Sequence, residues 1–388
     1  MVDFDGTCTE HDTTPLLPRL AAFASRQRSL SESSANCRDN NNHGDIEQED
    51  IVNEISNNTL HMHDLERRMR QFRLLEAEYL RRYGEAKSSL LGTTAQHKSI
   101  HEMLDALDEP STIVTQMVSE TRVLEGLGHV DAEELGRMLT TTITIANDLH
   151  SSEIECISSK DDTKGREEFD KVVIRLRPGC QRTLSRVLSE NKYNHSPDAH
   201  CKDCDKSPPP CWGWNIAVLS INWCPALIDA SIVQPVLKQR RSVLQTDSCT
   251  TEIPIWSNQV DANGVISLHV PGALAKRDRI MELRRNIHQS SDSASVIVYV
   301  GDSSTDLAAL LEADIGIIMG GQNSTSSLTT IADRWGIQIV PLKHRRQHDF
   351  DAIVRDYPGI RRKQIILWQV ESWQEIDEML LELDEQWS

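Results

Sequence analysis

The sequence predicts an α/β fold: a doubly wound parallel sheet with an inserted all-helical cap after the first strand. Three observations predict it. Short apolar runs rich in β-branched residues recur beyond residue 170, at Val172–Ile174, Ile216–Ile221, Val296–Val300 and Ile315–Met319. Helical segments fall between them, at 180–191, 225–239, 274–287 and 305–312. Strands covered on both faces read as unbroken apolar runs, and their alternation with helices is the pattern of a parallel sheet. By contrast, residues 15–150 carry helical periodicity and no convincing strand.

Within that first part, Leu60, Leu65, Met69, Phe72, Leu75, Tyr79 and Leu80 recur at helical spacing, which predicts an amphipathic helix over 59–85. Further helices are expected over 98–107, 111–125 and 131–149, the last opened by Asp131 with Glu134 three residues on. Ile337–Pro341 reads as a further strand and Trp373–Leu383 as a closing amphipathic helix. Residues 27–50, 151–168 and 192–211, and 284–293 more weakly, are polar and poor in apolar groups. Such stretches bury little surface and read as loop insertions. The predicted division is a core of 1–14 and 176–388 with a helical cap over 15–175.

The chain has 388 residues, 59 Asp and Glu against 41 Lys and Arg, and a net charge of −18. That surplus argues against a nucleic-acid partner, which needs clustered cations to neutralise phosphates. No apolar run is long enough to span a bilayer, and no signal peptide is visible, so no membrane partner is expected. The nine cysteines are an odd, scattered set. They read as reduced thiols of an intracellular, cytoplasmic protein, organelle targeting being left open. Cys201, Cys204 and Cys211 include a CxxC but lack a second ligand pair, so an incidental polar loop is the preferred reading over a zinc site. Only Met1 and Val2 precede Asp3, which predicts either a very short first strand or a chain that begins inside a longer one.

Four short segments carry chemistry. Asp3 and Asp5 stand two apart in DFDGT, so on a strand both side chains face one way. Ser220 and Asn222 end an apolar strand, where a hydroxyl and unpaired N–H groups can hold a phosphate oxygen. Lys276 lies at the start of a helix and can neutralise carboxylates or a phosphoryl group. In YVGDSSTD, Asp302 and Asp306 follow another apolar strand and suit a hard cation such as Mg²⁺. Each segment alone also fits an ordinary turn, helix cap or solvated side chain.

In this order the segments resemble the four motifs of the haloacid dehalogenase (HAD) superfamily, which has a Rossmann-like core. The resemblance implies that Asp3 is a nucleophile that takes a phosphoryl group and that Asp5 is the general acid and base. It implies that Asp3, the Asp5 carbonyl and Asp302 hold Mg²⁺, with Asp306 on the metal or behind it. Ser220 and Lys276 would bind phosphate oxygens. The words DFDGTCTEHDTTPLL, AVLSINWCPALIDASI, VYVGDSSTDLAALLEADIGIIMG and ADRWGIQIVPL further resemble the phosphatase domain of plant thiamin monophosphate phosphatases, where it is fused to a TenA-type domain. Arg177–Cys180 and the closing ESWQEIDEML are similar too. What this implies is hydrolysis of thiamin monophosphate, a small phosphorylated metabolite, under a helical cap. Trp223 would then contact a substrate ring, or else belong to the core. Phosphoserine, phosphocholine or pyridoxal phosphate remain alternative substrates. Phosphoryl transfer to another alcohol and a non-catalytic scaffold remain alternative functions.

Overall fold

The structure is a computed structural model that describes residues 1–37, 47–92, 99–143, 172–190, 214–244, 252–290, 295–321, 326–345 and 366–387. The insertions at 151–168 and 192–211, with Cys201, Cys204 and Cys211, lie outside the described residues.

The helical part opens with α1 (Leu17–Cys37), α2 (Glu47–Leu91) and α3 (Ile100–Thr121). Two of these correct the expected polar insertion at 27–50, since 27–37 continues α1 and 47–50 begins α2. Leu17, Leu20, Phe23 and Ala24 bury the first turns of α1. Once such a face is docked, adding polar turns costs little. In α3, Ser99 and Glu102 form a capping box. The helix then runs through Pro110, so the two expected helices are one. Its buried face of Met103, Leu104, Leu107, Val114 and Val118 stays in phase across the proline.

Helix α4 (Ala132–Met138) is capped by Asp131, whose carboxylate accepts from Glu134 N at 2.8 Å. It stops well short of the expected 149. The β-branched run Leu139–Ile143 is instead a strand, β1, parallel to β2 (Val172–Leu176). Threonines lose side-chain freedom in a helix and fit a pleated strand. Then come α5 (Cys180–Glu190), β3 (Val218–Leu219), α6 (Pro225–Ile228) and α7 (Gln234–Leu244), the last two joined by a wide helical turn. Strand β4 (Ile255–Trp256) precedes a small hairpin of β5 (Gln259–Val260) and β6 (Ile266–Ser267). The remainder is α8 (Ala273–Ser290), β7 (Val298–Gly301), α9 (Leu307–Glu312), β8 (Ile315–Met319), α10 (Ser326–Arg334), β9 (Gln338–Pro341), β10 (Ile366–Val370) and α11 (Trp373–Trp387). Helix α8 bears out the helix expected over 274–287 and extends it to Ser290, into the stretch more weakly read as a polar insertion.

Val2 forms parallel bridges to both Val218 and Val300, so the first residues join two groups of strands. The resulting order is β4, β3, Met1–Asp3, β7, β8, β10, β9, all parallel. Strands β4 and β10 were not expected, and β10 inserts between β8 and β9. Alternate residues enter two separate cores. Val2, Val218, Val300, Ile317 and Trp368 join one, with α5, α7 and α11. Leu219, Tyr299, Ile318 and Leu367 join the other, with α8, α9 and α10. A period of two along each strand thus feeds both faces, as a doubly wound sheet requires. The order of strands reverses between Met1–Asp3 and β7, and in open α/β sheets ligands bind at the carboxyl side of that point. No described helix is long and apolar enough to cross a membrane.

Candidate active site

At this switch point the sheet delivers its carboxylates. Asp3 N donates to Val300 O at 2.9 Å, which sets the Asp3 side chain beside the end of β7. Gly6 then turns the chain at φ 70°. A Cβ there would lie 2.2 Å from the Asp302 carboxylate, so glycine is needed for both the turn and the approach. Thr7 Oγ1 donates to Asp302 Oδ1 at 3.0 Å. From outside, Arg177 Nε donates to Gly6 O at 2.6 Å and Trp373 Nε1 to Thr7 O at 2.9 Å. The loop is therefore pinned on both sides.

Lys276 is fully buried. Its Nζ donates to Asp306 Oδ1 at 2.7 Å and lies 3.0 Å from Asp3 Oδ1. The second contact is a buried ion pair. Asp306 is saturated. Its Oδ1 also accepts from Tyr299 Oη at 2.6 Å, and its Oδ2 accepts from Asp302 N, Ser303 N and Ser303 Oγ. Gly301 makes room for it, since a Cβ would sit 2.4 Å from its carboxyl carbon.

Asp3, Asp302 and Asp306 each offer a carboxylate oxygen within 4.8 Å of the others. An all-oxygen donor set fits a hard cation such as Mg²⁺. Asp3 and Asp302 are the residues with capacity to bind it, whereas both oxygens of Asp306 already serve Lys276, Tyr299 and the turn. Burial and then the charge of Asp306 raise the pKa of Asp3 well above the carboxylate range. The same two causes raise Asp302 to about 7. Burial opposes ionisation of Asp306 as well, but the Lys276 charge and hydrogen bonds outweigh it and lower its pKa. A bound dication would relieve the crowding of negative charge.

Asp5 faces a different set of partners. Thr13 donates to its Oδ1 from N at 2.8 Å and from Oγ1 at 2.6 Å, and Asn222 Nδ2 donates to its Oδ2 at 2.9 Å. Asn222 Nδ2 also donates to Thr13 Oγ1, and its Oδ1 accepts from Cys224 N. Asn222 thus supports Asp5, and its side-chain amide is engaged by Asp5, Thr13 and Cys224. Burial, with the Asp12 charge next, raises Asp5 to about 6 against these hydrogen bonds. Ser220 is buried and its Oγ accepts from Asn222 N at 3.3 Å. Trp223, the candidate ring contact, meets Phe72 of α2 edge to face at 6.5 Å and packs on the core.

The geometry brings Asp3, Lys276, Asp302 and Asp306 into one cluster, with Asp5, Asn222 and Ser220 following the neighbouring strands. Sequence reasoning missed Thr7, Thr13, Tyr299 and Trp373 as supports. Thr7 and Tyr299 lie within recognised segments, and Thr13 and Trp373 fall in words that carry the family resemblance, but no spacing along the chain pairs Thr13 with Asp5 or Trp373 with Thr7.

No family model matches this chain. It is similar to a curated protein of Arabidopsis thaliana, the bifunctional TH2 protein, mitochondrial, at 23% identity over 393 residues. That alignment covers 98% of the chain and 48% of the plant protein, so the chain spans about half of that relative's length.

Proposed function

We propose that the chain is a Mg²⁺-dependent phosphomonoesterase of the HAD type and that it hydrolyses thiamin monophosphate to thiamin and phosphate. The observation that carries the chemistry is the buried cluster of Asp3, Lys276, Asp302 and Asp306 at the switch point of the sheet. An Asp3 oxygen attacks phosphorus and the bond from phosphorus to the alcohol oxygen breaks. Asp5 gives its proton to that oxygen. It then takes a proton from the water that attacks the aspartyl phosphate, so that Asp3 is regenerated and inorganic phosphate leaves. A pKa of about 6 lets Asp5 serve as acid and then as base near neutral pH. Lys276 and Ser220 hold phosphate oxygens, and Asp306 keeps Lys276 charged and aimed. Mg²⁺ bound by Asp3 and Asp302 would supply positive charge against the transferring group.

The substrate rests on the sequence words that resemble plant thiamin monophosphate phosphatases. The likeness to a plant TH2 protein along nearly the whole chain runs in the same direction. Residues 15–175 would act as the cap, and the mitochondrial relative makes an organelle a candidate location. Phosphate release from thiamin monophosphate, with and without Mg²⁺ and with Asp3→Asn, tests the reading. Release that needs Mg²⁺, is lost in Asp3→Asn and exceeds that from phosphoserine, phosphocholine and pyridoxal phosphate is expected. Equal rates on all four would sink the thiamin assignment, and no release from folded protein would sink the phosphomonoesterase.

A further inference from the structure

We propose that α2 supplies the wall that selects the organic half of the substrate, with Tyr79, Tyr83 and Asp12 favouring a flat, positively charged ring. The inference rests on the phosphomonoesterase reading above and deepens it.

Helix α2 crosses the mouth of the site. Its inner residues Phe72, Leu75, Tyr79, Tyr83 and Leu90 recur at helical spacing. Phe72, Leu75 and Tyr79 pack with the core on one face of the sheet, whereas Tyr83 and Leu90 pack with the core on the other. A straight element that reaches both faces must pass over the rim of the sheet. Two contacts say which rim. Phe72 meets Trp223, just after β3, and Tyr83 Oη lies 2.9 Å from Ser304 Oγ, just after β7. Both follow the carboxyl ends of strands, and they flank Asp3. Tyr79 lies between these anchors on the helix.

The two tyrosine rings form a tilted pair, with centroids 5.8 Å apart and planes at 31°. Ser304 fixes the Tyr83 hydroxyl. Tyr79 is half-buried, and its hydroxyl has no hydrogen-bond partner among the described residues. Burial raises its pKa, and the charged or ionisable neighbours that add to this are Tyr83, Asp108 and Asp12, with no cation among them. Asp108 is occupied, accepting from Ala273 N at 2.7 Å. Asp12 is exposed and uses one oxygen on Thr14 N, which leaves the other for a ligand. Aromatic faces beside a carboxylate attract a cationic ring more than a neutral one of the same shape.

The experiment uses a matched pair of phosphomonoesters, (N-methylpyridinium-3-yl)methyl phosphate and benzyl phosphate, with Mg²⁺ and the full chain. The wild type is expected to favour the cationic member by about tenfold in kcat/KM. That ratio should fall towards one in Tyr79→Leu, fall part-way in Asp12→Asn and survive in Tyr79→Phe, which keeps the ring. A wild-type ratio near or below one, or a ratio unmoved by Tyr79→Leu in folded protein, overturns the wall while leaving the phosphomonoesterase standing. Calorimetric binding of thiamin, which has no phosphate, separates the other failure. Binding weakened about fivefold or more by Tyr79→Leu, in a chain that releases no phosphate, would keep the wall and sink the phosphomonoesterase. No thiamin binding together with no release overturns both.

Discussion

Asp306 and Asp5 flank the Asp3 segment, one after β7 and the other before the contacts with the end of β3. Both are gripped by several hydrogen bonds, yet their acidities move in opposite directions. Burial works against ionisation of each. At Asp306 the buried Lys276 ammonium outweighs it, and the pKa falls. At Asp5 burial and the nearby Asp12 prevail over Asn222 and Thr13, and the pKa rises to about 6. A neutral donor stabilises a carboxylate only in part, whereas a desolvated cation reverses the sign. The Asp306 side therefore favours the charged carboxylate beside Lys276, and the Asp5 side raises its carboxyl towards neutral pH, as the proposed acid and base role requires.

Breaking the centre between the two sides should have the largest effect. Asp3→Asn is expected to lower the rate of phosphate release by at least ~10³-fold, measured on protein whose circular dichroism matches the wild type. Next, Lys276→Met would leave Asp306 and Asp3 buried without a cation, at a cost of about 3 kcal/mol in denaturant unfolding. In that variant the pKa of Asp306 should rise and the contrast with Asp5 should vanish, visible by carboxyl NMR.

Magnesium and pH sharpen the comparison. Asp5 and Asp302 have folded pKa values of about 6 and about 7, raised above the ordinary 3.8. Each contributes stability that is complete below pH 3.8 and is lost as the pH rises through its folded value. Asp306 has the reverse sign, contributing above the ordinary carboxylate pKa and losing that contribution as the pH falls through its lowered one. Thermal unfolding of metal-free protein should therefore show stability declining from these two groups between about pH 4 and 7. Mg²⁺ at ~100 times its Kd should add about 2.7 kcal/mol at pH 7.5 and much less at pH 5. A stabilisation that does not change with pH, or that persists in Asp302→Asn, would contradict the assigned metal site.

Two smaller changes probe each side's framework. Gly6→Ala places a methyl against Asp302 and forces a left-handed alanine, which should cost about 2 kcal/mol and weaken Mg²⁺ binding in a titration. Thr13→Val removes one of the Asp5 hydrogen bonds and should cost about 1 kcal/mol. It should also move the pH profile of kcat/KM upward, while the equivalent loss at Asp306, in Tyr299→Phe, should leave that profile in place.

Strands β3 and β7 were legible because each lies in a short apolar run ending in a polar turn, as at Val298–Gly301 before Asp302, whereas Met1–Asp3 joins the sheet through the bridges of Val2. Strand β10 carries the same signal in ILWQV, yet its place between β8 and β9 follows from pairing and not from chain order. The helical layer was legible as helix but not in its bounds. Pro110 does not end α3, because a continuous buried face outweighs one missing N–H. Thr140–Thr142 do end the expected helix, because they find a parallel partner in β2.

By itself the sequence singled out Asp3, Asp5, Lys276, Asp302 and Asp306 as candidates at strand ends and turns, since periodicity and local turns are encoded between near neighbours. Only the tertiary structure decided how each carboxylate behaves. Thr13 and Asn222 lie 209 residues apart and meet on Asp5. Lys276 and Asp306 lie 30 apart and meet in the core. A carboxylate's acidity depends on desolvation and on the charge of whatever group the fold brings to it, and neither is a property of its neighbours along the chain.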